Sequence, residues 1–291
     1  MAAHRPWVGL SLMPEDDFLR AAHPLFAAGE VEVLEWSFDT AWPPAVVPRW
    51  AAELIAAFAD GDRLLGHGVH YSALSAGVES RQQDWLDRLR EEVCRHAYRH
   101  VSEHFGFSGS RGFHRSAPLP VPLNDSTLSL GRDRLRRLAA VAGVPVGLEN
   151  LAFAFGPRDV AEQGQFLDAL LEPVDGFLLL DLHNLYCQSV NFGRTLDELL
   201  ATYPLHRVRE LHVSGGSWSG TSGDERRPVR RDTHDGPVPA ELFEWLPRVL
   251  AACPNVEAVV LERLGGTLAA ADDEPFRRDF RRLREVVRAA G

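Results

Sequence analysis

Short apolar runs bounded by turn residues recur along the chain, and each is followed by a segment whose apolar residues return every three or four positions. This alternation is the sequence form of parallel strands joined by crossover helices. Eight such runs are found, over 7–12, 31–38, 64–71, 100–107, 145–151, 177–182, 208–213 and 256–261. Helices are predicted over 15–28, 48–59, 79–97, 127–142, 159–171, 194–202 and 239–252, with a last one at 274–289. Eight βα units close a single (β/α)8 TIM barrel, and 291 residues suffice for one such domain over 1–291. Two connections are long: 108–126, rich in Ser, Gly and Pro, and 214–238, which carries Ser-Gly-Gly-Ser-Trp-Ser-Gly and then Asp-Glu-Arg-Arg-Pro-Val-Arg-Arg. Both follow a strand, so both are expected over the C-terminal face, where such loops form lids or binding surfaces.

The polar residues that interrupt this pattern are concentrated at the predicted strand ends. Strand three ends in His67-Gly-Val-His70, strand four carries Glu103-His104, strand five Glu149-Asn150, and strand six Asp181-Leu-His183-Asn184. Strand seven holds Glu210-Leu-His212, strand eight ends in Glu262-Arg263, and the loop after strand seven adds Asp232-Thr-His234-Asp235. Barrels build their active sites at that end of the strands. A buried carboxylate costs several kcal/mol unless paired or bound to a cation, so Glu149, Asp181 and Glu262, each directly after an apolar run, need a positive partner. Arg263 and Arg209 could pair with some of them. Three carboxylates and several imidazoles converging on one rim more naturally enclose divalent cations, and a thiolate-free set suits iron, manganese or zinc. A carboxylate between two ions could bridge them.

Other candidates have plainer readings. His70 and His114, taken singly, read as hydrogen-bonded structural residues. Glu35 and Glu103 read as acceptors that orient imidazoles or as salt-bridge partners. The cluster Arg226, Arg227, Arg230 and Arg231 reads as a solvated charge run, with Arg230 and Arg231 as candidate contacts for an acidic peptide or carboxylate substrate. Cys187 either approaches the metals or is a small buried residue.

Charge and cysteine usage narrow the function classes. With 31 basic and 41 acidic residues the net charge is −10, and every fixed positive charge is arginine, a balance that argues against coating nucleic acid. Three cysteines, Cys94, Cys187 and Cys253, lie far apart, so neither a disulfide framework nor a thiolate zinc site is expected, and a reducing cytoplasm fits. The first strand-like run begins within a few residues of Met1, so no signal peptide is expected, and no apolar stretch is long enough to span a bilayer.

Seven ordered motifs carry a resemblance over nearly the whole chain: His67-Gly-Val, Val101-Ser-Glu-His104, Leu148-Glu149-Asn150, Leu180-Asp181 through Asn184-Leu-Tyr186 with Asn191 following, Glu210-Leu-His212, Asp232-Thr-His234 and Leu261-Glu262. Together they resemble the multinuclear non-haem iron-dependent oxidative enzymes, the family that includes the methanobactin-forming oxidase subunit. The resemblance implies that His67, His104 and Glu149 hold one iron. A second would be held by Glu149, Asp181, His212 and Glu262, with Glu149 as bridge, and a third by Asn184 or His183 with Asp232 and His234. Glu149, Asp181 and His212 would then form the catalytic core. Where many relatives carry two consecutive Asn, this chain has His183-Asn184, which leaves the third ligand set open. The resemblance further implies two or three irons of mixed Fe2+/Fe3+ valence, with O2 as co-substrate. The substrate would be a residue, most often Cys, of a ribosomally made precursor peptide, with a partner protein that recognises its leader. From the residues alone, a divalent-metal isomerase or hydrolase of the sugar-isomerase or endonuclease type is the main alternative. The net charge disfavours the endonuclease, and the absence of lysine disfavours the isomerase. A scaffold with structural metals is a third.

Overall fold

Residues 5–77, 79–110, 113–219 and 228–290 are described by a computed structural model. In chain order the elements are β1 (Trp7–Leu12), α1 (Asp16–Ala27), β2 (Val33–Trp36), α2 (Arg49–Asp60), β3 (Leu64–Gly68), α3 (Glu79–Arg95), β4 (Val101–His104), β5 (Phe107–Ser110), β6 (Phe113–Leu119) and α4 (Asp125–Ala142). They continue with β7 (Val146–Glu149), α5 (Pro157–Leu171), β8 (Phe177–Asp181), α6 (Leu182–Phe192), α7 (Leu196–Leu200), β9 (Val208–Val213), α8 (Ala240–Ala252), β10 (Ala258–Leu261) and α9 (Asp273–Ala290). Eight strands close a parallel barrel in the order β1-β10-β9-β8-β7-β4-β3-β2, the expected (β/α)8 architecture. Among the described residues no helix is long and apolar enough to cross a membrane.

Four local readings change. The second strand stops at Trp36, and the chain turns into a 3-10 helix, Phe38–Ala41. Buried Asp39 on that turn accepts the backbone N–H groups of Val69 and His70 and the indole N–H of Trp85. The 108–126 connection contains an antiparallel hairpin, β5 with β6. The segment after β8, to which the periodicity assigns no element, is helical: α6 starts at once, because the Asp181 side chain caps its own helix by accepting the Asn184 N–H. Helix 194–202 shrinks to α7, opened by a Thr195/Glu198 capping box.

Strand alternation sorts the core into two parts. Outward residues such as Leu34, Leu148, Leu178 and Leu180 join the large cluster between barrel and helices. Inside the barrel, Val33, Leu65, Ala258 and Val260 form a separate buried plug with Trp7 against it. Above the plug the inward position near the end of every strand is polar: Ser11, Glu35, His67, His104, Glu149, Asp181, His212 and, just past β10, Glu262. The apolar plug closes the floor under that ring.

Gly147 lies directly beneath Glu149 on the inward face, where an added Cβ would sit 2.5 Å from the Phe177 ring. Alanine suits a strand better than glycine does, but the overlap dominates. Gly147→Ala is therefore expected to lower stability by about 1–3 kcal/mol in urea unfolding. An unchanged midpoint would show that the barrel floor yields freely.

Candidate metal centre

Each group of the polar ring comes from a different strand, so the barrel's stagger decides which of them meet. Of the four ligand-competent groups among the described residues, three follow one another around the mouth, namely His67, His104 and Glu149; then Glu149, Asp181 and His212; then Asp181, His234 and Glu262; the other, Glu35, Glu210 and His212, shares His212 with the second of these. Of the three around the mouth, Glu149 belongs to the first two and Asp181 to the last two, so they form one chain. In the first, Glu149 Oε2 lies 3.3 Å from His104 Nε2 and 3.6 Å from His67 Nε2, and the two imidazole nitrogens are 3.4 Å apart. Glu262 spans the other end, 3.3 Å from His212 Nδ1 and 3.1 Å from His234 Nδ1.

Neighbours fix which imidazole nitrogen faces the centre. His67 Nδ1 lies 2.8 Å from the Ser102 hydroxyl, which itself donates to the Gly66 carbonyl; Nδ1 therefore carries the proton and Nε2 keeps its lone pair. His212 places Nε2 2.9 Å from buried Glu35, leaving Nδ1 toward Glu262. Beneath it, Glu210 pairs with His100 at 2.8 Å and reaches His212 at 3.7 Å. Asn150 holds the backbone of Asp181 at both ends, accepting its N–H at 2.6 Å and donating to its carbonyl at 3.2 Å.

The electrostatics are those of a site built around positive charge. Burial pushes the Glu149 carboxyl well above the usual carboxylate range, against the pull of His212 and helped by neighbouring Asp181. Burial likewise pushes Asp181 up to about 8, with Asp232 adding to it. Burial lowers His67 to about 4 and His104 well below its ordinary value, so both offer lone pairs at neutral pH. At His212 and His234 burial pulls the other way, but the surrounding carboxylates, Glu35 for the first and Asp232 for the second, win and raise both. Asp181 Oδ2, Asn184 Oδ1, His212 Nδ1 and His234 Nε2 are all buried without a hydrogen bond. His234 Nε2 lacks one although Asp232 Oδ1 is 2.8 Å away, so the contact is close but misaligned. Buried polar atoms of this kind demand a partner. An all-oxygen-and-nitrogen donor set with shared carboxylates fits two or three transition-metal cations.

Of the residues singled out in the sequence, His67, His104, Glu149, Asp181, His212, Asp232, His234 and Glu262 meet at this mouth. Asn184 joins them by donating to Glu149 Oε1 at 3.1 Å. His183 differs from the expectation of a ligand: Nδ1 faces Asp232 at 2.8 Å and Nε2 faces Arg230 at 3.0 Å, so neither ring nitrogen is left. Arg230 is buried, not solvated, whereas Arg231 is exposed and donates to Ser217 Oγ. Arg226 and Arg227 lie outside the described residues, as does the His114 side chain. His70 stands outside the ligand groups found among the described residues. Glu103 accepts the backbone N–H groups of Tyr71 and His104, and its Oε1 lies 3.8 Å from His104 Nδ1. Cys187 is buried, and burial pushes its thiol up. Ser102, His100 and Asn191 were not anticipated as site residues, although His100, Ser102 and His104 alternate along one strand and so share its inner face.

These shifts fix a sign for the metal-free protein. Asp181 is raised from an ordinary value near 4 to about 8, so its contribution favours folding at low pH and is lost as pH rises through 8. His212 and Glu149, also raised, act in the same direction. Metal-free protein should lose on the order of 1–2 kcal/mol of stability between pH 6.5 and 8. Thermal melts at the two pH values check this, and a gain would contradict it.

Residues 46–270 match the family described as RiPP precursor modification enzyme MbnB/TglH/ChrH. A UPF0276 protein of Shewanella loihica is 27% identical over 200 residues, 68% of this chain and 67% of its own length. Another, from Chromobacterium violaceum, is 30% identical over 224 residues, 76% of this chain and 75% of its own. A third, from Caulobacter vibrioides, is 32% identical over 178 residues, and the match spans three fifths of either chain, 61% and 60%. Among solved structures, IOLI protein with a bound zinc atom superposes with a TM-score of 0.64 at 11% identity, covering 98% of this chain and 99% of that one. D-allulose 3-epimerase from Methylomonas sp. gives 0.63 at 12% identity, covering 98% and 100%, a likeness of fold alone. The extent of the first match, together with the ordered motifs that the barrel brings to one mouth, places this chain in the MbnB/TglH/ChrH family of RiPP precursor modification enzymes, the multinuclear non-haem iron-dependent family.

Proposed function

We propose that the chain, acting as one barrel domain over residues 1–291, is an oxygen-dependent multinuclear non-haem iron oxidase. Its substrate is a residue, most often Cys in this reading, of a ribosomally synthesised precursor peptide. The observation that carries the proposal is the overlap of three buried ligand groups through Glu149 and Asp181, which suits adjacent ions better than isolated ones. In this reading His67, His104 and Glu149 hold the first ion. Glu149, Asp181, His212 and Glu262 hold the second, and Asp232, His234 and Asn184 surround the third. Iron held there supplies the electrons through which dioxygen reacts with the peptide.

The residues of the chain bind, orient and exclude. Ser102 and Glu35 fix the tautomers of His67 and His212. The plug of Val33, Leu65, Ala258 and Val260 keeps water from entering through the barrel floor. Asn184 holds Glu149 by donating to Oε1 while its own Oδ1 stays without a hydrogen bond. On the rim, exposed Phe155, Trp218 and Leu264 follow β7, β9 and β10, and with exposed Arg231 they offer a peptide both apolar and cationic contacts. Cytoplasmic residence and a leader-recognising partner protein belong to the same proposal.

Elemental analysis of anaerobically purified protein should find two to three irons per chain in this reading. Glu149→Ala should lose more metal than Ser102→Ala, because Glu149 serves two groups and Ser102 orients one ligand. Co-expression with a cysteine-containing precursor peptide encoded beside the gene should shift the peptide's mass only when iron and oxygen are both present. Turnover without oxygen on a zinc- or manganese-loaded enzyme would favour the isomerase or hydrolase alternative instead.

A further inference from the structure

The two loop-borne members of the centre, Asp232 and His234, have no strand to hold them. Ligands on loops are placed less securely than those on strands unless surrounding contacts lock them. His234 also sits in the left-handed region at φ 51°. What holds this loop is a set of contacts that the metal reading does not use. Asn191 on α6 clasps the backbone of Arg230 at both polar groups, accepting its N–H at 2.8 Å and donating to its carbonyl at 2.9 Å. The Arg230 guanidinium then enters the mouth with its central carbon 5.6 Å from the Tyr186 ring and 5.7 Å from the Trp218 ring. Its Nε and Nη2 lie 3.2 Å and 3.0 Å from His183 Nε2.

Chemistry gives this contact a direction. Arginine has donors and no acceptor, so His183 Nε2 must accept, and the ring proton of the neutral imidazole must reside on Nδ1. Nδ1 lies 2.8 Å from Asp232 Oδ1 and therefore donates to it. The close packing permits little else, since a Cβ on Gly216 would lie 2.2 Å from the Arg231 carbonyl and 2.8 Å from His183 Cε1.

We propose that His183, locked by Arg230 as its Nδ1–H tautomer, is the positioning residue for Asp232, and that this relay assembles the loop-borne part of the metal centre. The inference rests on the metal-centre reading and adds a division of labour within it. The first ion's ligands depend on strands β3, β4 and β7, whereas the third position depends on the Arg230–His183–Asp232 relay. Arg230 then acts on the centre through His183 and does not serve as a substrate-carboxylate contact.

The test is an anaerobic Fe(II) titration by equilibrium dialysis on the metal-free full chain, comparing wild type with Arg230→Met, Arg230→Lys and His183→Leu. Arg230→Met and His183→Leu should weaken one metal equivalent by about 10–100-fold and leave the others in place. Arg230→Lys, which still donates to Nε2, should recover most of the loss. Ring-nitrogen NMR of metal-free wild type, assigned with the His183→Leu protein, should show a neutral Nδ1–H imidazole at His183. That measurement needs only the wild-type fold and the assignment variant. An Nε2–H tautomer or an imidazolium there would overturn the proposal, as would equal weakening of all equivalents or unchanged binding in Arg230→Met. Wild type that binds no metal would overturn the metal-centre reading itself, and the relay with it.

Discussion

Negative charge buried at the mouth of the barrel is the constraint to which the rest of the structure answers. Glu35, Glu149, Asp181, Glu210, Asp232 and Glu262 all project into one water-poor region. Part of that charge is met from within: Glu210 by His100, Glu35 by His212, and Asp232 by His183 and His234. Glu149 and Asp181 are the shortfall. Their carboxyls are pushed upward by burial, and Asp181 keeps an oxygen without a hydrogen bond. A protein interior tolerates such groups when a cation sits among them. These two carboxylates, both pushed upward by burial, are also the two shared between ligand groups, so electrostatics and geometry point to the same places.

A (β/α)8 barrel suits this task because it separates the two demands. Outward leucines bury the helices and carry the stability, leaving the inward end of each strand free to be polar. The strand stagger sets the spacing between groups, and short contacts such as Ser102 to His67 and Asn150 to Asp181 set their orientation. Where the candidate ligands pass from strand to loop, at Asp232 and His234, the structure supplies stitching instead: Asn191 on the backbone of Arg230, and Arg230 on His183.

Much of this was legible in the sequence, for physical reasons. Apolar runs with a charged last residue, such as Phe177 to Asp181, announce both a buried strand and an unpaid carboxylate at its end. The eight ring positions follow from alternation once the strands are placed, and the ordered motifs led to the family. Contacts between residues distant in sequence were not legible. Nothing local to Arg230 says that it is buried on His183; a run of arginines beside Pro228 reads as a solvated loop until Tyr186, Trp218 and Asn191 are brought against it. The immediate start of α6 was hidden for a similar reason, since Asp181 serves at once as strand end, helix cap and candidate ligand, and a reading by periodicity assigns one role at a time. The 108–126 hairpin was masked by the Ser, Gly and Pro content that makes a segment look like loop.

The central claim is that ions occupy the chain of overlapping groups at the mouth, and anomalous diffraction tests it directly. Crystals of protein loaded anaerobically with iron, measured on both sides of the iron edge, should show two or three anomalous peaks inside the barrel mouth. One should lie among His67, His104 and Glu149 and another among Glu149, Asp181 and His212. A mouth without an anomalous peak, or a single ion touching neither Glu149 nor Asp181, would contradict the account.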